Sequence, residues 1–270
     1  MAVTVLAPRA LGSKGVCVPQ ANLTTNADTG SLGPVRTRQA RKSQREVPRC
    51  TRVLEVDALD ADARADLGPI LYEIFCASYG DLDLETVTDE IVFRPGGRLF
   101  VFTDRLGLIV GFVCRAHKIF QEGGKTHAIW TGGAYFRSHV RGGAATLAMV
   151  LRQPLAYKLR HPTHQVAIMY EALHPASYRI SASLFLRVWP TRHRPTPRSV
   201  ARLVTGQIGE RDLLRGKHPF VVRYPDAASH QRPDARLSKT LQNDPDVAHY
   251  LKLNPNYIEG DILYTYVPLT

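Results

Sequence analysis

Residues 126–160 read THAIWTGGAYFRSHVRGGAATLAMVLRQPLAYKLR, and this stretch decides the fold. Its first part, 126–138, has the composition of a strand, and Gly132-Gly133 within it indicates a bulge or a close approach by another backbone or a ligand. Its second part, 141–160, starts with small residues and continues with apolar residues at helical spacing. A loop of small residues between a strand and a helix exposes main-chain N–H groups at the positive end of the helix dipole. The stretch therefore predicts a strand, an oxyanion-binding loop and a helix.

The flanking segments place this unit in a mixed sheet. QVAIMYEA (165–172) is typical of a buried strand, so a parallel crossover is predicted from 126 to 172. Upstream, 98–104 and 108–120 have strand periodicity and are joined by short turns, which predicts an antiparallel meander. The predicted fold class is α/β (α+β), with a mixed, mostly antiparallel sheet and helices on both faces.

Periodicity and capping residues predict the remaining elements. In chain order we expect a strand at 51–57, a helix from Asp60 or Asp62 to Tyr79, a short helix in 81–92, helices at 175–189 and 199–214, and strands at 219–224 and 261–269.

The positive charge is concentrated at the N-terminal end. The chain has 270 residues and a formal net charge of +11, and residues 1–50 hold eight basic and two acidic side chains. Residues 1–50 lack helix or strand periodicity, so we predict a disordered basic tail there and a folded domain at 51–270, extended beyond about 198. Such a tail could contact nucleic acid, a membrane surface or an acidic partner; the alternative is a solvated or vestigial leader. Since no aromatic-interleaved basic motif accompanies it, nucleic-acid binding is not expected.

The cysteines and the hydropathy profile indicate no metal and no membrane span. The four cysteines lack the spacing of zinc ligands and predict no disulfide framework; they are Cys17, Cys50, Cys76 and Cys114. The sequence has no apolar run near the ~20 residues that cross a bilayer. We expect a cytoplasmic protein.

The loop after residue 138 resembles the signature of the GNAT (Gcn5-related N-acetyltransferase) superfamily, Arg/Gln-x-x-Gly-x-Gly/Ala. Arg141, Ala144 and Thr146 fall on its three positions, with alanine in place of the usual glycine and threonine in place of glycine or alanine. The order of elements from 51 to 189 is similar as well. The resemblance implies a GNAT-like fold that grips the pyrophosphate of acyl-CoA. It implies these cofactor-binding residues: Phe136, Arg137, Arg141, Gly142, Gly143, Ala144, Ala145 and Thr146.

The same resemblance implies a cleft and an acid. The strand at 126–138 should splay from the strand at 165–172, and a main-chain amide at a bulge near Thr131–Tyr135 should polarise the thioester carbonyl. HPASYRISASLF (174–185) is similar to the family's Asn-x-x-Ala-x-x-Leu-Tyr segment, whose tyrosine protonates the leaving thiolate. Tyr178, the tyrosine of this helix, is the predicted acid; packing with a locally bonded hydroxyl is the alternative.

An attacking amine must lose a proton, so a general base is expected. Glu171 is the first candidate and His127 the second, and His139 and His174 lie nearby in sequence; for each, a surface or capping role is the alternative. Aromatic residues around the cleft are predicted either to line a pocket or to belong to the core: Trp130, Tyr135, Phe136 and Tyr170.

These features predict an N-acyltransferase in which an amine of a small molecule or peptide attacks directly, because no Cys or Ser has a nucleophile-and-base arrangement. The donor would be acetyl-CoA, a longer acyl-CoA or an acyl-carrier-protein thioester, and no metal is expected. The autoinducer-synthase-like and N-acyl-amino-acid-synthase-like branches are compatible with the added C-terminal region. The alternative is a non-catalytic acyl-CoA-binding or sensor protein. The sequence leaves the acceptor, the acyl length and the oligomeric state open.

Overall fold

A computed structural model describes residues 48–79, 82–137, 140, 143–211, 213–224, 237 and 239–269. The strands are β1 (Arg49–Glu55), β2 (Arg98–Thr103), β3 (Ile109–Glu122), β4 (Lys125–Phe136), β5 (Gln165–Ala172), β6 (Leu214–Arg215), β7 (Val221–Arg223) and β8 (Ile262–Leu269). The helices are α1 (Ala61–Tyr79), α2 (Gly143–Arg160), α3 (Pro175–Leu184), α4 (Arg198–Gly209), α5 (Lys239–Gln242) and α6 (Pro245–Leu253).

All the strands form one eight-stranded sheet in the order β1-β2-β3-β4-β5-β8-β7-β6. The pair β4–β5 is parallel, and the other neighbouring pairs are antiparallel. The predicted meander and parallel crossover are therefore confirmed. The last strand along the chain, β8, is inserted between β5 and β7, which the sequence did not predict.

Helices cover both faces of this sheet. Because side chains alternate along a strand, neighbouring residues of β2 point to opposite faces. Leu99 and Val101 belong to the main core with Leu71 of α1, whereas Phe100 and Phe102 form a second cluster against Met149 and Val150 of α2. The mixed sheet with helices on both faces is confirmed.

Several predicted boundaries change for physical reasons. Asp60 caps α1, since its Oδ1 accepts a hydrogen bond from the Ala63 N–H at 2.8 Å. The predicted second helix is a π-helical segment, Thr86–Val92. The helix predicted at 175–189 ends at Leu184, because the Trp189 main chain exchanges two hydrogen bonds of 2.8 Å with Tyr266 of β8.

The C-terminal region contains two elements that the sequence analysis left unassigned. In α6, Asp244 is the N-cap and accepts hydrogen bonds from the N–H groups of Asp246 and Val247, with Pro245 in the first turn. The Asp-Pro pair is a helix-start signal that could have identified this helix. The predicted helix at 199–214 instead ends at Gly209, and residues 214–215 form β6.

The predicted tail lies mostly outside the described residues, which begin at Pro48. Strand β1 starts at Arg49, two residues before the predicted boundary at 51. In the part of the chain that the structure describes, no helix has the length and hydrophobicity to cross a bilayer, and no three metal-ligating side chains cluster.

Candidate active site

Strands β4 and β5 pair along only part of their length and then diverge. They pair in parallel from His127 opposite Gln165 to Thr131 opposite Met169. Beyond that point β4 continues to Phe136 along β3, whereas β5 continues to Ala172 along β8. The gap opens into a cavity of about 740 Å³, lined by β3, β4, β5 and α2 together with α3.

Strand β4, which borders this cleft, has no bulge relative to β3. The bulge predicted near Thr131–Tyr135 is therefore wrong. The register of β3 with β4 runs unbroken from Gly111 opposite Phe136 to Glu122 opposite Lys125. The glycines instead allow close approach. Gly132 has φ +142°, and a Cβ built there would lie 2.0 Å from the Cys114 carbonyl oxygen.

Main-chain donors nevertheless face the opening. The Arg137 N–H donates to the Val110 carbonyl at 3.0 Å. In an antiparallel pair the main-chain groups of successive residues point to alternate sides. The N–H groups of Ala134 and Phe136 therefore point away from β3, towards the gap that β5 has left. They can bind a carbonyl oxygen there without a bulge.

The N-terminus of α2 borders the same cavity. Its first residue, Gly143, has φ +65°, and a Cβ built there would meet no described atom within 4 Å, so this side of the main chain is open towards the described residues. Thr146 is only 6% exposed, and its Oγ1 has no hydrogen-bond partner among the described residues. Both residues line the cavity. A buried, unsatisfied hydroxyl beside helix N–H groups fits a phosphate oxygen.

The other predicted cofactor-binding residues do not all lie in the cavity wall. Phe136 lines the cavity and packs against Phe102, with ring centroids 5.2 Å apart. The Arg137 guanidinium is bonded to Glu73 of α1 at 2.7 and 3.3 Å, so its charge is already paired. Arg141 and Gly142, and the side chains of Ala144 and Ala145, lie outside the described residues.

Glu171 lies in the cavity wall near the end of β5. Its carboxylate accepts hydrogen bonds from Arg211 Nη1 at 2.5 Å, from the Tyr264 hydroxyl at 2.9 Å and from the Tyr224 hydroxyl at 3.3 Å. Arg211 also donates to the hydroxyls of both tyrosines. Both charged side chains are largely buried, with Glu171 15% and Arg211 20% exposed.

This environment determines the charge of Glu171. Burial on its own raises the pKa of the carboxyl, but the positive charges of Arg211 and Arg94 and the hydrogen bonds from Arg211 and Tyr264 outweigh it, and the pKa lies below its usual value. The carboxylate is therefore held ionised. A carboxylate with a lowered pKa is a weak proton acceptor, so the geometry suits an electrostatic role better than the predicted role as general base.

Tyr178 lies in the core and not in the cleft. Its side chain is fully buried, and its hydroxyl donates to the Pro190 carbonyl at 2.9 Å. Burial, followed by the charge of Asp246, raises the pKa of the hydroxyl well above its usual value. The structure thus favours the packing alternative for Tyr178.

We expect Tyr178→Phe to lower the free energy of unfolding by about 1 kcal/mol, the usual contribution of one hydrogen bond, and to leave ligand binding unchanged. Urea unfolding and calorimetry with acetyl-CoA would measure the two effects. A loss of turnover without a loss of binding would return Tyr178 to the role of acid.

The predicted histidines His127 and His174 are not among the residues that line the cavity. His127 stands at the closed, paired end of β4, and its ring stacks on Phe120 at 5.5 Å. It is four residues before Thr131, which is about 13 Å along a strand. The Nδ1 of His174 caps α3 by accepting the Ala176 N–H at 3.1 Å, and His139 lies outside the described residues. The structure does not bring Glu171, Tyr178 and His127 together.

Of the four aromatic residues that were predicted to line a pocket or to be core, three line the cavity: Tyr135, Phe136 and Tyr170. The Tyr170 hydroxyl donates to Ser181 Oγ at 2.6 Å, which ties β5 to α3. Trp130 packs between His117 and Tyr157.

No protein-family model and no curated protein matches the chain. Among solved structures it is similar to a GCN5-related N-acetyltransferase from Kribbella flavida, with 12% identity, 81% of this chain and 97% of that chain covered, and a TM-score of 0.37. It is also similar to an acetyltransferase from Trypanosoma brucei, with 18% identity, 54% and 97% covered, and a TM-score of 0.34. An integron cassette protein from V. cholerae shows 15% identity, 56% and 96% coverage and a TM-score of 0.36. At these values the likeness carries no argument about activity, which has to be argued from the site.

Arg211 and Arg115, two of the arginines that line the cavity, were missed by the sequence analysis. Arg211 follows α4 and reaches Glu171 across 40 residues of sequence. Arg115 of β3 lines the cavity although it occupies an ordinary position in a strand pattern. No local motif marks either residue, because each acquires its surroundings only through the pairing of distant strands.

Proposed function

We propose that the protein is an acyltransferase of the GNAT superfamily that binds an acyl-CoA and transfers its acyl group to an amine. The observation that carries this proposal is the separation of β4 from β5 beyond Thr131 and Met169, which opens a cavity that reaches the α2 N-terminus. An extended pantetheine arm is about as wide as a β-strand, so it fits between the separated strands. Its phosphates would meet the main chain at Gly143 and the hydroxyl of Thr146.

In this proposal each part of the cleft has a chemical task. The main-chain N–H of Ala134, which faces the gap, would stabilise the negative charge that develops on the thioester oxygen. The amine would attack directly, since positioning alone supplies a large part of the rate in such reactions. Glu171, kept ionised by Arg211, would orient the acceptor amine through its negative charge. Arg141, Gly142, Ala144 and Ala145 complete the proposed phosphate loop.

The donor and acceptor classes follow the same proposal. Acetyl-CoA, a longer acyl-CoA or an acyl-carrier-protein thioester would supply the acyl group, and a small-molecule or peptide amine in the cytoplasm would receive it. The autoinducer-synthase-like and N-acyl-amino-acid-synthase-like branches stay candidates. Calorimetry with acetyl-, octanoyl- and palmitoyl-CoA and with acyl-carrier protein tests the donor, and absence of binding to all four would reject the proposal.

A second candidate function is a non-catalytic acyl-CoA sensor. It is favoured by the commitment of Glu171 to an ion pair with Arg211 and by the Tyr178 hydroxyl, which is bonded to the Pro190 carbonyl in the core. Product formation with a panel of amines separates the two functions: a sensor would bind the donor and release no CoA thiol above the rate without protein.

Thr146→Val is expected to weaken acyl-CoA binding about tenfold, because the ligand loses one hydrogen bond while the shape of the site is kept. The unliganded variant should be as stable as the wild type or slightly more so, since an unsatisfied buried hydroxyl has been removed. Calorimetry and thermal unfolding measure the two effects.

The matched control is Thr205→Val, because the Thr205 hydroxyl already donates to the Ala201 carbonyl at 2.9 Å within α4. It should leave ligand affinity unchanged. Equal affinities for all three proteins would remove Thr146 from the proposed phosphate site.

A further inference from the structure

Arg115, a buried arginine that forms no ion pair with another described residue, lines the cavity. Arg115 of β3 is 5% exposed, and its Nη1 is buried without a hydrogen-bond partner in the described part of the chain. Among the ion pairs between described residues, none includes Arg115. Burial accordingly lowers the pKa of its guanidinium to about 10.

The side chain of Arg115 lies on the α2 face of the sheet. Val113, two residues earlier in β3, belongs to the cluster that packs on Met149 and Val150 of α2. His117, two residues later, stacks on Trp130, which contacts Tyr157 of α2. Since alternate residues of a strand share a face, Arg115 lies beneath the same helix.

Two buried polar groups that have no hydrogen-bond partner among the described residues therefore border one cavity. The Thr146 hydroxyl is near the N-terminus of α2, and Arg115 pairs with Gly132, the first residue of β4 beyond the parallel ladder. Two carboxylates also line this cavity, and both are already paired: Glu171 with Arg211 and Glu210 with Lys118. No carboxylate among the described cavity-lining residues is left to neutralise Arg115.

An unpaired buried charge lowers stability by several kcal/mol, so such a group is typical of a site that a ligand completes. The guanidinium presents a planar fork of N–H donors that matches a carboxylate or a phosphate. We propose that Arg115 binds an oxyanion of the acyl donor inside the cavity and thereby selects the donor. This inference rests on the proposed function. The oxyanion has two possible sources: a carboxylate at the end of the acyl chain, or a phosphate of CoA.

The test is calorimetry on the full chain with four ligands: acetyl-CoA, succinyl-CoA, S-acetylpantetheine and S-succinylpantetheine. Arg115→Met should weaken binding of the ligands that carry the oxyanion about tenfold to a hundredfold. If the oxyanion is the acyl carboxylate, both succinyl ligands weaken and both acetyl ligands do not. If it is a CoA phosphate, both CoA ligands weaken and both pantetheine ligands do not.

The control variant is Arg202→Met, which removes the same formal charge from a side chain that is 74% exposed and should leave every affinity unchanged. Arg115→Lys keeps the positive charge but loses the planar pair of guanidinium donors, so it should bind the ligands with intermediate affinity. If Arg115→Met does not fold, Arg115→Lys takes its place in the test. Without ligand, Arg115→Met should melt a few degrees above the wild type, because an unpaired buried charge has been removed.

Unchanged affinity of Arg115→Met for every ligand that the wild type binds overturns the inference and leaves the proposed function intact. If the wild type binds no acyl-CoA, the proposed function fails instead. Titrations with inorganic pyrophosphate and with succinate then decide the inference separately: weaker binding to Arg115→Met supports it, and equal binding to both proteins overturns it.

Discussion

Arg211→Met is expected to lower the free energy of unfolding by about 3–5 kcal/mol, the usual cost of removing one partner of a buried ion pair. The variant leaves Glu171, 15% exposed, as a carboxylate without its bonded cation. The hydroxyls of Tyr264 and Tyr224 remain as donors, but they carry no charge. Equilibrium unfolding in urea measures the loss.

Two further variants distinguish a buried charge from lost packing. The double variant Arg211→Met with Glu171→Gln removes both charges and should recover most of the stability. The surface pair of Lys118 and Glu210, which are 49% and 53% exposed, is the matched control. Lys118→Met should cost less than about 1 kcal/mol. Equal losses for Lys118→Met and Arg211→Met would contradict the account of Glu171 as a buried partner.

The pH dependence of the same variants has a defined sign. Arg211 and Arg94 lower the pKa of Glu171 in the folded state, so the ion pair stabilises the protein above the usual carboxyl pKa and that stability is lost as pH falls through the lowered value. In Arg211→Met the influence of Arg211, which lowers the pKa of Glu171, is absent, while burial still raises that pKa. The pKa of Glu171 should therefore be higher in the variant than in the wild type. The stability of the variant should therefore depend less on acidification than that of the wild type.

Gly132→Ala is expected to destabilise the fold by about 3–5 kcal/mol or to prevent folding, because two costs add. The residue has φ +142°, a conformation that L side chains rarely adopt, and the new Cβ would lie 2.0 Å from the Cys114 carbonyl oxygen. That oxygen belongs to the neighbouring strand and cannot turn aside without opening the β3–β4 ladder. Thermal unfolding would show lower stability, and calorimetry would show weaker ligand binding because Gly132 lines the cavity.

The matched control is Gly206→Ala in the interior of α4, where the new Cβ would meet no atom within 4 Å. Alanine at an unstrained helix position should raise the stability by about 0.5–1 kcal/mol. If Gly132→Ala were as stable as the wild type, the unbroken register of β3 and β4 would not describe this part of the strand.

The sequence predicted those parts of the fold that depend on local periodicity. The strand and helix in 126–160 appear as β4 and α2, and the meander before them is confirmed. The position of β8 was not predictable in the same way, because its pairing with β5 joins residues about a hundred positions apart. Strand order is decided by which apolar faces meet, and no window of the sequence contains that information.

The predictions about the site show the same difference between local features and tertiary contacts. Gly143, Thr146 and Glu171 were identified because a loop and a strand end are local features, and all three line the cavity. Tyr178 was selected because it is the tyrosine of its helix, but the packing of that helix turns the hydroxyl to Pro190. Arg115 and Arg211 were missed because burial and charge pairing, which distinguish them, arise only from tertiary contacts. The Gly132-Gly133 pair fits both a bulge and a close approach, and only the register selects the second.

The place of β8 between β5 and β7 has a consequence for synthesis on the ribosome. Each strand from β2 to β5 can pair with the strand before it as soon as it emerges, but the other edge of β5 stays unpaired until residues 262–269 have followed. An exposed edge of a largely apolar strand invites pairing with another chain. Glu171 pairs with Tyr264 in this late ladder, so the surroundings of the Glu171 carboxylate are completed last. A nascent chain stalled before residue 262 would be a good substrate for chaperones and a poor receptor for any ligand.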